Sequence, residues 1–278
     1  MKRFDVLITA EELLARLSDD GSTPRLLDVR WTLQKPDGRD DFAAGHIPGA
    51  IYVDLDTELA AHAEHAPTHG RHPLPSAEEF QEQIRAWGID QLTDVVVYDD
   101  NSGQGAARAW WLLQWAGLKA RVLDGGLSAF VAAGGELATG PGEPVRPSTV
   151  TITPDSMPVI DADAASAWTG VLLDARAGER FRGETEPLDS RAGHIPGAKS
   201  APAGENTAAG RFLDEESLRS RFSHLGALDQ PVGVYCGSGV SACHNALALA
   251  TLGIESSLYP ASWSGWSSDP GRPVATGA

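Results

Sequence analysis

The chain has 278 residues, 42% hydrophobic and 22% charged, the balance of a globular protein of about two domains rather than of a disordered or fibrous one. Its formal net charge is −16, with 12 basic against 22 acidic residues up to Gly140 and 10 against 16 after it, so both halves repel nucleic acid and anionic membrane surfaces. No apolar run approaches a membrane span, and Met1-Lys2-Arg3-Phe4-Asp5 carries two cations without an apolar segment behind them, so the expectation is a cytoplasmic protein with no secretory signal and no nucleic-acid or membrane partner.

Along the chain, Thr9-x-x-Glu12 has the form of a capping box and predicts a helix start. A strand follows over Arg25 to Val29. A second box, Ser76-x-x-Glu79, opens a helix near Ser76 to Trp87; then come a strand over Val95 to Tyr98, a helix near Gly105 to Trp115 and a strand over Ala120 to Leu123. Strands alternating with helices predict an α/β domain with a parallel sheet. Gly134-Gly135, Gly140-Pro141-Gly142-Glu143-Pro144 and Pro147 then form a connector that sustains neither helix nor sheet.

Beyond the connector the pattern starts again. Leu26-Leu27-Asp28-Val29-Arg30 recurs as Leu172-Leu173-Asp174-Ala175-Arg176, and Gly45-His46-Ile47-Pro48-Gly49-Ala50 recurs unchanged as Gly193-His194-Ile195-Pro196-Gly197-Ala198. Val95-Val96-Val97-Tyr98 matches Val232-Gly233-Val234-Tyr235 in the same order. The chain therefore reads as a duplicated α/β protein, two tandem domains each with a parallel sheet flanked by helices. We expect a first domain over 1–140, a Gly/Pro-rich linker over 141–152 and a second domain over 153–278.

The two copies differ in one loop. In the second, Cys236-Gly237-Ser238-Gly239-Val240-Ser241-Ala242 follows the apolar run Pro231 to Tyr235 and leads into a helical stretch. Loop amides and a helix N-terminus aimed at the sulfur favour a nucleophilic thiolate, and glycines at 237 and 239 let backbone approach a ligand closely. In the first copy Asp99 stands opposite the Cys, in Asp99-Asp100-Asn101-Ser102-Gly103-Gln104-Gly105, so that half lacks the nucleophile and supplies a wall of an interdomain cleft. Cys243 and His244 fall inside the following helix and are expected to pack there, as are Trp110, Trp111, Trp263 and Trp266 in the cores and interface. With only two Cys, too close across a loop and helix start to bridge, the thiols are expected free in a reducing compartment. No zinc-type ligand spacing occurs, and thiol chemistry of this kind needs no cofactor.

The duplication, the single nucleophile loop and the twin Gly-His-Ile-Pro-Gly-Ala segments together resemble the two-domain rhodanese sulfurtransferases, from about Val6 to Trp266. The loop is similar to that of the members that use 3-mercaptopyruvate, whereas thiosulfate-preferring members carry basic side chains where this chain has Gly237 and Ser238. The resemblance implies sulfur transfer through a persulfide on Cys236, with Ser238 as proton donor or relay and the backbone of Gly237, Gly239, Val240 and Ser241 cradling the donor sulfur. It places a substrate carboxylate on Arg180, in Gly178-Glu179-Arg180-Phe181-Arg182-Gly183, and gives Arg191 as substitute for a second family Arg that lies in a longer segment. It also offers His46 and Asp40 as partners of Ser238 across the cleft, and cyanide, a thiol or thioredoxin as sulfur acceptor.

The residues themselves leave alternatives open. Identical Gly-His-Ile-Pro-Gly-Ala copies in both halves equally fit a fold requirement for His46 and His194. Arg30 and Arg176 share a repeat and read as structural, while Arg180 has no counterpart in the first copy. Thiosulfate as donor, or a persulfide carrier without turnover, remains a competing function. A cysteine phosphatase would need an Arg six residues after the Cys, where Ala242 stands.

Overall fold

In the computed structural model, which describes residues 2–19, 23–61 and 66–278, the short apolar runs form the inner strands of two sheets. The first contains β1 (Leu7–Ile8), β2 (Arg25–Asp28), β3 (Ala50–Tyr52), β4 (Val95–Tyr98) and β5 (Ala120–Leu123) in the order β1-β5-β4-β2-β3. The second contains β6 (Val171–Asp174), β7 (Lys199–Ser200), β10 (Val232–Tyr235) and β11 (Ser256–Leu258) in the order β11-β10-β6-β7, and a small hairpin of β8 (Thr207–Ala208) and β9 (Arg211–Phe212) lies apart. Every pairing in the two larger sheets is parallel. Strands covered on both faces need no polar alternation, hence the unbroken apolar runs of β4 and β10.

The duplication holds in detail. Asp28 pairs with Tyr98 and Asp174 with Tyr235, so the Leu-Leu-Asp repeats occupy the same register. One parallel bridge from Val159 to Leu258 stands in the second half where β1 runs beside β5 in the first. Of the two capping boxes, only that at Ser76 closes in both directions; Thr9 Oγ accepts from the Glu12 N–H, but the Glu12 carboxylate turns to Arg16 and Arg121 instead.

Two helices join the halves. Gln104–Trp115 follows β4, Ser241–Thr251 follows β10, and the two pack against each other through Ala106, Ala107, Ala109, Ala242, Ala246 and their neighbours, giving a core that runs through both halves. Small side chains permit this close approach, and a helix buried nearly all round reads as apolar on every face. The connector is strapped to the first half by N–H bonds from Ser148 to Arg85 O, Thr153 to Ala116 O and Ser156 to Trp115 O, before Ile160 reaches Leu258 O in the second. The loops that leave β4 and β10 thus lie at the carboxyl ends of their sheets, where parallel α/β folds place ligands. Among the described residues no helix is long and apolar enough to cross a membrane.

Candidate active site

Cys236 begins the loop after β10 and is 2% exposed. Its own N–H donates to Ser262 Oγ at 3.1 Å, and the Gly239 N–H donates to Cys236 Sγ at 3.1 Å. Gly239 has φ +82°, and a Cβ there would stand 2.6 Å from Pro260 O, so the amide reaches the sulfur because this position carries no side chain. The first half builds the same cradle around a different anion. The Asp99 carboxylate accepts from the N–H groups of Asn101, Gly103, Gly105 and Ala106 at 2.8–3.1 Å. Full burial pushes Asp99 upward against the pull of those amides.

Ser238 Oγ lies 2.8 Å from His72 Nδ1, and His72 Nε2 lies 3.1 Å from Asp56 Oδ1, which also accepts the Trp31 indole N–H at 2.9 Å. A carboxylate only accepts, so neutral His72 carries its hydrogen on Nε2 and turns the Nδ1 lone pair to the Ser238 hydroxyl. The bond from His72 holds the Asp56 carboxyl below the usual carboxylate range. These three side chains form a Ser-His-Asp relay between the halves.

That relay corrects the sequence expectation for His46 and Asp40. His46 is buried with Nδ1 bonded to Phe42 O at 2.8 Å and its ring stacked on Phe42 at 3.8 Å; His194 repeats this with Phe181 O at 2.8 Å and a 3.7 Å stack. Both histidines close the same turn of the fold through Nδ1, the Ser238 hydroxyl bonds to His72 instead, and Asp40 is exposed on the helix Arg39–Ala44. A signal for His72 was present in the repeat. Gly70-Arg71-His72 aligns with Gly210-Arg211-Phe212, so the copy facing the Asp99 loop has Phe where the copy facing the Cys236 loop has His. The exchange is reciprocal in space, since Phe212 lies against Gly103 of the Asp99 loop.

The cations divide into two groups. Arg191, expected to bind substrate, donates to the carbonyls of Trp266, Ser267, Asp269 and Arg272, so its guanidinium braces the C-terminal segment. Arg176 pairs with Asp174 and packs over Trp263 at 4.7 Å, as Arg30 pairs with Asp28. Arg180, on the helix Gly178–Phe181, does face the loop, and Arg71 from the first half joins it. A Cβ built on Gly237 would meet Arg71 Nη2 at 3.2 Å and the two Nη atoms of Arg180 at 3.5 and 3.8 Å. Arg71 thus stands beside the loop, where Arg191 was expected.

Arg108 fastens these parts together. Fully buried, it donates to the carbonyls of Leu59, His72 and Gly239, tying the backbone that carries the relay to the loop that carries the thiol. Cys243 donates its S–H to Gly239 O at 3.2 Å, and burial pushes its thiol up to about 12, so it stays protonated and packs as the sequence reading expects. A cavity of about 500 Å³ opens onto the loop, with Gly237, Ser238, Val240 and Ser241 beside Cys236 on one side and Arg71 and Trp31 on the other.

The profile described as Rhodanese-like domain matches residues 9–133 and 160–269. A protein of Mycobacterium tuberculosis named putative thiosulfate sulfurtransferase SseB is 47% identical over 99% of this chain and 98% of its own. A probable 3-mercaptopyruvate sulfurtransferase of Pseudomonas aeruginosa is 47% identical over 98% of both chains. Among solved structures, 3-mercaptopyruvate sulfurtransferase from Leishmania major superposes with a TM-score of 0.84 at 31% identity, covering 95% of this chain and 74% of that one. The SseA structure from Escherichia coli superposes with a TM-score of 0.80 at 30% identity, covering 92% and 98%.

Proposed function

The chain belongs to the rhodanese-like domain family, with two copies of the domain, and from that premise we propose that it moves sulfane sulfur from 3-mercaptopyruvate to a thiophilic acceptor through a persulfide on Cys236. The observation that carries this reading is convergence: a nucleophilic sulfur, a Ser-His-Asp relay and two guanidiniums meet in one cleft, with His72, Asp56 and one guanidinium contributed by the other half.

The donor carboxylate binds Arg180 and Arg71, since planar guanidiniums suit a carboxylate. The Cys236 thiolate attacks the donor sulfur; the S–S bond forms, the donor C–S bond breaks, and its electron pair leaves as pyruvate enolate. The proton that Cys236 gives up in forming the thiolate passes through Ser238 Oγ to the Nδ1 lone pair of His72, and it returns by the same route, from Nδ1 to Ser238 Oγ as the Ser238 hydroxyl proton goes to the enolate, giving pyruvate and the neutral ring. The Gly239 N–H stays on the cysteine sulfur throughout and offers it a fixed donor. An acceptor such as cyanide, a thiol or a thioredoxin-type protein then attacks the outer sulfur and returns Cys236 to its starting form. No cofactor enters this scheme, and the free thiols fit a cytoplasmic setting.

Thiosulfate is the second reading, favoured by the name of the mycobacterial relative. Against it stands Gly237, where two guanidiniums already fill the space that a basic side chain would take. The test is intact-mass measurement after mixing with each donor, followed by kcat/KM for both. We expect an adduct one sulfur heavier, removed by dithiothreitol and absent in Cys236→Ser, with mercaptopyruvate the better donor. Absence of the adduct with either donor overturns the proposal, and an adduct without turnover leaves a persulfide carrier.

A further inference from the structure

The two guanidiniums beside the nucleophile loop already hold a carboxylate. Arg180 Nη2 lies 3.1 Å from Asp189 Oδ2, and Arg71 Nη1 pairs with Asp189 Oδ1, so one side chain bridges a cation from each half. Glu186 bonds Arg180 at 2.6 Å and Arg176 at 3.2 Å, and its Oε1 accepts the Asp189 N–H at 3.2 Å, which fixes where Asp189 points. The Asp189 side chain is 4% exposed. Arg71 Nε is buried and finds no acceptor among the described residues, so this guanidinium is not saturated by Asp189.

Resting on the sulfur-transfer reading above, we propose that Asp189 is a specificity-determining residue, the resident counter-charge of the Arg71–Arg180 pair that selects singly charged sulfur donors over dianions. Arg71, Arg180, Asp189 and Glu186 carry no net charge together. The fixed carboxylates offset the pull of the guanidiniums on an entering anion, and the unfavourable part that Asp189 contributes is twice as large for a dianion as for a monoanionic α-keto acid, in a half-buried setting where such terms are large. The cation pair is thus strong enough to orient a carboxylate and too well compensated to attract a dianion.

Asp189→Asn keeps the shape and one accepting oxygen while deleting the charge, Asp189→Ser does so with a smaller side chain in case the first variant misfolds, and Asp189→Glu keeps the charge. We expect either neutral variant to raise the ratio of kcat/KM for thiosulfate to that for mercaptopyruvate about tenfold, with the Glu variant near wild type. An unchanged ratio in the neutral variants, or the same rise in Asp189→Glu, overturns the inference. Calorimetric titration with sulfate and pyruvate reads charge selection without turnover: the neutral variants should tighten sulfate about tenfold more than pyruvate. Equal changes for the two anions overturn the assignment of Asp189, whereas a missing Cys236 adduct in the wild type overturns the sulfur-transfer reading and leaves the calorimetric result standing.

Discussion

Ser238 Oγ sits 2.8 Å from Nδ1 of His72, a residue 166 positions earlier and in the other half of the molecule. The nucleophile and the relay that serves it are thus assembled only when the two halves pack, and the helices after β4 and β10 hold that packing in place. Chemistry and interdomain geometry are coupled here, and the coupling makes the site testable piece by piece.

Proton supply matters only when carbon must be protonated. His72→Ala and Asp56→Asn should lower kcat with mercaptopyruvate by about 100-fold or more. Thiosulfate leaves as sulfite without taking a proton to carbon, so its turnover should fall less. His46→Ala should instead leave the donor dependence alone and cost about 1–3 kcal/mol of stability, from its lost buried hydrogen bond and ring stack. Steady-state rates and thermal melts on the three variants separate these outcomes; a donor-independent loss in His72→Ala would remove the relay from the scheme.

The clamp is read in KM. Arg180→Ala and Arg71→Ala should each raise KM for mercaptopyruvate by about 10- to 100-fold, the range of a lost charge-assisted hydrogen bond. Arg191→Ala strips donors from four backbone carbonyls and should show as a lower melting temperature with KM little changed. A KM effect from Arg191→Ala equal to that of Arg71→Ala would restore the expectation drawn from sequence.

The two loop glycines should respond differently. Gly239→Ala forces a side chain to φ +82° and against Pro260 O, a backbone cost of about 1–3 kcal/mol before the clash is counted, and it disturbs the N–H on Cys236. Gly237→Ala meets only the ends of two arginine side chains, so it should fold and act through KM. Persulfide yield by mass and melting curves of both variants check this contrast.

Acid should loosen the interface through His244. Its Nε2 faces Ser102 O at 2.9 Å and its Nδ1 faces Asn206 Nδ2 at 3.1 Å, so the neutral ring with hydrogen on Nε2 is the form that fits. Burial pushes it down from 6.5 to about 4. The unfolded chain therefore binds this proton as pH falls through about 6.5 while the folded protein waits until about 4, and stability present above that window is lost across it. His244→Gln should flatten the fall of melting temperature over this pH range, and a slope equal to wild type would contradict the assignment.

Sequence alone determined what depends on neighbours along the chain. The strands over 95–98 and 120–123, the helix closed by the Ser76 box, the duplication and the thiol in its glycine loop are local patterns, since pleat, helix period, caps and tight turns are set within a few residues. Arg180 was also legible, because it broke the symmetry of the repeat, and its guanidinium lies beside Gly237 of the Cys236 loop. Tertiary structure decided which partners cross the cleft. His46 lies in a segment whose twin exists in both halves and turns inward to Phe42, while His72, Asp56 and Arg71 reach the loop only because alanine-rich helices bring the halves into contact. Arg191 was lost to the C-terminal carbonyls for the same reason: which acceptors surround a long cationic side chain depends on chain segments some eighty residues away, and spacing carries no record of them.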